Sequence, residues 1–266
     1  IRSRLACFFE LNSTEGHDIF YKKKGGITTL LSPVYMEILA LGAIVSIQSK
    51  PGHIFIFAGI SNFEYHHDYK VGTKLLGTVE KAGQKGELFI CKGELTNDQN
   101  QVVVSGTLNA VQVANSVLGA KPPVADFKTP EHVISIACPT YRSSKSASMI
   151  VCDTCIQLDT ETNDCMFKYT YPVNHPLTKG HFPNDPIMMG IMQMIGVEDC
   201  MLCLAETMAL DRSSLTIEGQ AEIVKEDGNS VAAFKSFKVH VSLAGDTPDH
   251  FSEMVSLKRV VFKGMV

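Results

Sequence analysis

The run Val34–Gln48 reads VYMEILALGAIVSIQ and is apolar almost throughout. It follows Ser32-Pro33, the order of an N-cap and a first helical residue, so the pattern predicts a helix capped by Ser32. A helix apolar on nearly every side is buried on nearly every side, and the rest of the chain has to wrap around it. The next residues suit that task. PGHIFIFAGISNFEYHH places Phe55, Phe57 and Ile60 among β-branched neighbours and reads as a strand. Three more strands are predicted up to about Val113, with turns at Lys85-Gly86 and at Asn97–Asn100. One charge interrupts the helix, Glu37. Buried carboxylates are costly unless paired or protonated, so Glu37 is either a helix-dipole carboxylate near solvent or a functional acid.

The same order then returns. ANSVLGAKPPVADFKTP, from Ala114 to Pro130, has the glycine, the Pro-Pro pair and the lack of periodicity of a linker. Strands are predicted over Ile150–Leu158 and Met166–Tyr171, joined by the polar turn DTETND. A second buried helix is predicted over Ile187–Leu204, followed by strands in SLTIEGQAEIV, VAAFKSFKVHVSL and EMVSLKRVVFKGMV. The expected organisation is a first unit over 1–114, a linker over 115–130 and a second unit over 131–266. Two copies make a duplication rather than a solenoid.

Composition narrows the function classes. The net charge is −4, which argues against a nucleic-acid surface. The basic run Lys22–Lys24 reads as a solvated loop rather than a dock for an acidic partner. No apolar run reaches the ~18 residues of a membrane span. The eight cysteines lie mostly in apolar segments, as free thiols do in a reducing compartment. Two Cys-x-x-Cys pairs occur, Cys152/Cys155 and Cys200/Cys203. The first sits in a strand-like stretch, where residues three apart face opposite sides, and the second in a helix, so neither is read as a metal knuckle. No metal and no cofactor are expected. The chain opens on Ile rather than Met, which points to a trimmed N-terminus and is compatible with a removed targeting peptide. A soluble reducing compartment is expected: plastid stroma, mitochondrial matrix or bacterial cytoplasm.

The most specific segment is NHPLTKGHFPNDPIMMG, ending at Gly190. It resembles the signature of the hotdog-fold 3-hydroxyacyl-acyl-carrier-protein dehydratases of the FabZ/FabA type, roughly G-H-F-P-G-x-P-V-M-P-G. Gly180, His181, Phe182, Pro183, Pro186, Met188 and Gly190 match. Upstream, MIVCDTCIQLD looks like the family's first strand. In the other half, FAGISNFEYHHDYKVGTKL resembles the strand after the family's helix. Asn184 replaces a glycine, Met189 a proline, and Leu41 a glutamine that often supports the acid. The resemblance implies an α+β fold, here a double hotdog: two units, each a long buried helix wrapped by an antiparallel sheet.

It also implies where a site forms. Family members work as dimers in which a histidine from one subunit meets a carboxylate on the helix of the other, each chain carrying the acid fourteen positions after the histidine. Fourteen after His181 is Ile195 (195 − 181 = 14), which transfers no proton. Aligning the first helix with the family's puts Glu37 at the acid position, and fourteen before it stands Lys23, or His17 if the loop carries an insertion. The two registers differ by 158 (195 − 37), an offset that sets Phe57 against Leu215. The units are therefore complementary, and one composite site per chain is expected, from His181 and Glu37.

In that site His181 is the expected base at the substrate's α-carbon and Glu37 the acid at its 3-hydroxyl, kept protonated by its apolar helix. The Gly190 N–H, at a helix start, is the expected donor to the thioester carbonyl. Phe182, Pro186, Met188 and Met189 are expected to contact the acyl chain. The expected partner is an acyl-carrier-protein or CoA thioester, with further homo-oligomers or a larger assembly. The implied activity is a hydro-lyase of fatty-acid synthesis. A catalytically inactive double hotdog serving as a structural subunit is the alternative, and a hotdog thioesterase ranks last.

Overall fold

The computed structural model describes residues 4–10, 18–24, 26–47, 49–69, 71–72, 74–115, 136–137, 145–159, 161–172, 175–179, 188–208, 213–243 and 250–263. Strands β1 (Arg4–Glu10), β2 (Tyr21–Lys24) and β3 (Ile27–Leu30) precede helix α1 (Ser32–Ser46). Four long strands follow: β4 (His53–Tyr65), β5 (Lys74–Lys85), β6 (Leu88–Asn97) and β7 (Val102–Ala114). Strands β8 (Ile136–Ala137), β9 (Thr154–Asp159) and β10 (Asp164–Lys168) lead to helix α2 (Gly190–Thr207). The last three strands are β11 (Ser214–Val224), β12 (Ser230–Ser242) and β13 (Phe251–Phe262).

Eight strands form one antiparallel sheet in the order β1-β5-β6-β7-β4-β13-β12-β11. β10-β9-β8 and β2-β3 are separate small sheets. The meander β5-β6-β7 turns where the sequence predicts. Gly86 adopts a left-handed φ of 58° between β5 and β6. Between β6 and β7 the Asn97 side chain accepts the N–H groups of Gln99 and Gln101, and Asn100 takes the left-handed φ of 59° that asparagine tolerates.

α1 packs on β5, β6 and β7, while α2 packs on β12 and β13. The contact is close because the sheet carries glycines under the helix. A Cβ on Gly93 would lie 3.1 Å from Leu39, and one on Gly106 3.0 Å from Met36. Tyr35, Met36 and Leu39 of α1 and Met192, Met194, Ile195 and Leu202 of α2 belong to one apolar cluster with Phe63, Leu95, Phe234 and Leu257. Each large side chain so buried contributes about 1.5–3 kcal/mol.

Several expectations need correction. α1 begins at Ser32 with Leu31 as its N-cap, and no side chain caps it. Leu31 has no side-chain oxygen to accept a first-turn N–H, and the Ser32 hydroxyl is drawn inward to Glu198. Nor is α1 buried all round: Leu41, Ile44 and Val45 form an exposed stripe at i, i+3 and i+4, the face the sheet does not reach. α2 runs Gly190–Thr207 rather than from Ile187. The basic run is a strand, not a solvated loop. Alternation turns Lys22 inward, 1% exposed, while Lys23 faces solvent.

The strands after the two helices also sit differently. β4, after α1, lies inside the sheet; β11, after α2, lies at its far edge. The offset that sets Phe57 against Leu215 therefore does not carry past the helices. The meander β11-β12-β13 joins the rest through its final strand, β13, which pairs with β4. Gly59 permits that seam, since a Cβ there would stand 2.3 Å from the Val260 carbonyl oxygen.

Candidate functional site

Glu37 sits on α1 between the buried side chains of Met36 and Ile38. Burial raises its carboxyl above the ordinary carboxylate value. The side chain is half-buried, and among the described residues it makes no hydrogen bond or ion pair. Leu41, one turn on, faces solvent.

Gly190 is the first residue of α2, and no side chain caps that helix. The Met192 and Gln193 N–H groups already bond the Met189 carbonyl at 3.0 and 3.2 Å. The earlier N–H groups are the ones a helix start leaves for an outside acceptor. The glycine also has a packing reason: a Cβ would meet the Phe262 ring at 3.0 Å. Phe262 in turn lies against Phe57, ring centroids 5.7 Å apart. Met188 belongs to the apolar core and Met189 packs against it. The Gln193 side-chain amide holds the Met188 carbonyl at 3.3 Å, which fastens the end of the motif to the first turn of α2. His181, Phe182 and Pro186 lie outside the described residues, as does His17.

The two helices start in a common register. Ser32 and Gly190 are 158 apart (190 − 32), the same offset that separates Glu37 from Ile195. Glu37 and Ile195 are each the sixth residue of their helix. Ile195 is fully buried in the core.

The sequence reading missed a polar centre between the helices. Glu198 and Asp199 are adjacent acids in the middle of α2, both buried. Asp199 receives the Lys145 ammonium and, at 2.7 Å, the Val151 N–H. Glu198 Oε1 accepts the Ser32 hydroxyl and, at 2.7 Å, the Met254 N–H. Burial pushes the Glu198 carboxyl up to about 7, against the pull of Lys22, Lys145, Ser32 and the Met254 N–H. Nearby, Glu253 accepts Lys22 at 2.7 Å and Lys24 at 3.0 Å. Burial alone would raise Glu253, but the two ammonium groups outweigh it and hold the carboxyl below its usual value. The signal was present, since a Glu-Asp pair inside an apolar helix demands partners.

The cysteine pairs also differ from expectation. Cys152 precedes β9, so strand alternation does not separate it from Cys155. Both are buried with Cys203, and Cys200 packs against them. All four are free thiols. The hydrogen bond that the Cys200 thiol donates to Cys152, and then burial, push Cys200 well up.

An open groove of about 540 Å³ lies on β5–β7, lined among others by Thr78, Glu80, Lys92, Glu94, Ser105 and Thr107. These residues alternate with Val79, Gly93 and Gly106, and none of the described candidate site residues lines it.

No protein-family model matches the chain, and no curated protein matches it. Solved structures do. The H959F variant of the PpsC dehydratase domain from Mycobacterium tuberculosis matches over 98% of this chain and 94% of its own, with a TM-score of 0.53 and 10% identity. A hot-dog-like protein from Thermanaerovibrio acidaminovorans covers 44% of this chain and 86% of its own, at a TM-score of 0.38 and 11% identity. A thioesterase superfamily member from Thermus thermophilus covers 45% and 87%, at a TM-score of 0.38 and 9% identity. The chain has the hotdog fold, with a large antiparallel sheet and two long helices.

Proposed function

We propose that this chain is a 3-hydroxyacyl-thioester dehydratase built as a double hotdog, with units over 1–114 and 131–266 and one composite site. Its substrate class is the acyl-carrier-protein or CoA thioester of fatty-acid synthesis. The observation that carries the reading is Glu37: a carboxyl raised by burial, without a countercharge among the described residues, at the helix position its counterpart Ile195 leaves apolar. A carboxyl of that kind holds a proton and can donate it. The whole-length likeness to a dehydratase domain supports the same fold-level reading.

The steps follow from the groups. The His181 imidazole takes the α-proton. The Gly190 N–H, at the positive end of α2, stabilises the negative charge that gathers on the thioester oxygen. The C3–O bond breaks as Glu37 protonates the departing hydroxyl. The products are water and the trans-2-enoyl thioester, and the proton on His181 returns to Glu37 to close the cycle. Phe182, Pro186, Met188 and Met189 line the approach of the acyl chain.

The test runs the reaction backwards. Purified protein is given crotonyl thioester of CoA and of acyl carrier protein, and loss of the enoyl absorbance is followed. Turnover that disappears in both His181→Ala and Glu37→Gln supports the composite site. Wild-type rates in both variants would refute it, and no turnover by the wild type on any chain length would favour an inactive structural subunit.

A further inference from the structure

Of the two buried acids in α2, Asp199 is matched by an ammonium and a backbone N–H. Glu198 is not so simply explained. Its Oε1 gathers three elements at one atom: the Ser32 hydroxyl from the first residue of α1, the Met254 N–H from β13, and α2 itself. The Ser32 hydroxyl also accepts the Met254 N–H at 3.2 Å. The other oxygen, Oε2, is buried with no hydrogen-bond partner among the described residues. The nearby ammonium of Lys22 is spent on Glu253.

An apolar side chain would seal two helices at lower cost than a buried carboxyl with one bare oxygen. What the carboxyl adds is direction. Apolar contacts let helices slide and rotate by small amounts, whereas a buried hydrogen bond at a helix's first residue restrains where that end can sit. The position of this bond matters for the candidate site. Glu37 lies five residues along α1 from Ser32 (37 − 32), and Gly190 lies eight residues back along α2 from Glu198 (198 − 190). At 1.5 Å rise per residue these are about 7.5 and 12 Å of stiff helix. Both the proton donor and the oxyanion donor are thus measured from one shared bond.

We propose that Glu198 is a positioning residue, whose bond to Ser32 sets the spacing between Glu37 on α1 and the Gly190 N–H on α2. The proposal rests on the dehydratase reading of those two groups, and its test separates the two ideas. Two variants cut the bond from opposite ends: Glu198→Leu removes the acceptor, and Ser32→Ala removes the donor. Glu198→Gln keeps an acceptor oxygen and serves as the conservative rescue. Two readouts are taken on the full chain: amide hydrogen exchange in the first turns of α1, and kcat and KM for crotonyl thioester hydration per folded molecule.

Cutting the bond should speed exchange across Val34–Glu37 about tenfold and lower kcat about tenfold, with KM changed less than about threefold. Glu198→Gln should restore most of both. If Glu198→Leu does not fold, Ser32→Ala decides the matter. Unchanged α1 exchange in the cut variants overturns the tether. Faster exchange with unchanged kcat overturns its positioning role and leaves a purely structural bond. Absence of wild-type turnover overturns the dehydratase reading instead, and the tether then stands or falls on the exchange data alone.

Discussion

Glu37 and Ile195 hold the same place, the sixth residue, in two helices that start 158 residues apart, yet one is a carboxyl raised by burial and the other a fully buried hydrocarbon. The asymmetry makes the two substitutions unequal. Glu37→Gln should lower kcat/KM by about 10²–10⁴ with little change in stability, the range of a lost general acid. Ile195→Ala should instead cost about 2–5 kcal/mol of unfolding free energy. Steady-state kinetics and urea melts on both variants check the pair. Because burial raises the Glu37 carboxyl, the acid-dependent limb of the wild-type profile should lie above the ordinary carboxylate range and vanish in Glu37→Gln.

The Glu198 carboxyl stands at about 7 in the folded chain, above its ordinary value of 4.5. A carboxyl raised by folding favours the fold while protonated. That contribution is complete below the unfolded value and is lost as pH climbs to about 7. Glu198→Gln removes the titration, so its stability advantage over the wild type should widen between pH 4.5 and 7 by up to about 3 kcal/mol. Its titratable neighbours Lys22, Lys145, Asp199 and Glu253 are common to both proteins, and the difference isolates the one group. Urea melts at several pH values, giving parallel curves for the two proteins, would refute it.

The seam between β4 and β13 depends on Gly59. A methyl group there would press on the Val260 carbonyl from 2.3 Å, and backbone cannot swing aside as a side chain can. Gly59→Ala should cost about 1–3 kcal/mol, seen as a lower Tm. Gly83→Ala is the control, since its nearest neighbour would be 4.0 Å away.

Lys22 and Glu253 form an ion pair with both side chains almost wholly buried. Lys22→Met should leave Glu253 with Lys24 alone and cost about 3–5 kcal/mol. The loss should be larger above the carboxylate range, because Glu253 is held below its usual value in the fold and needs its partners when ionised. Melts of the variant at acid and neutral pH measure this.

The sequence disclosed what local pattern controls. The helices, the meander and its Gly86 and Asn97–Asn100 turns follow from apolar runs and turn chemistry within a few residues. It disclosed less where the partner is remote. Ser32-Pro33 has the local form of a cap, but Glu198, 166 residues on, takes the hydroxyl. Lys22 looks like part of a solvated run until Glu253, 231 residues away, draws it inward. A strand beginning at Ile150 would set Cys152 and Cys155 on opposite faces, whereas β9 begins at Thr154. For the candidate site, the resemblance to the dehydratase signature singles out Glu37 and Gly190, and Glu37 is also the lone charge in its apolar helix. Glu198 was visible as an acid in an apolar helix, but no pattern in the chain announces which hydroxyl it meets.

The pairing of β4 with β13 joins Gly59 to Val261, residues 202 apart (261 − 59). On a ribosome, α1 and the strands from β1 to β7 emerge long before the strand that closes the sheet. One edge of β4 then stays unpaired throughout that interval, and an open edge is a template for wrong partners. Such long-range closure is slow and exposes nascent chains to aggregation. The protein's yield in a cell should therefore hinge on how well that waiting edge is shielded during synthesis.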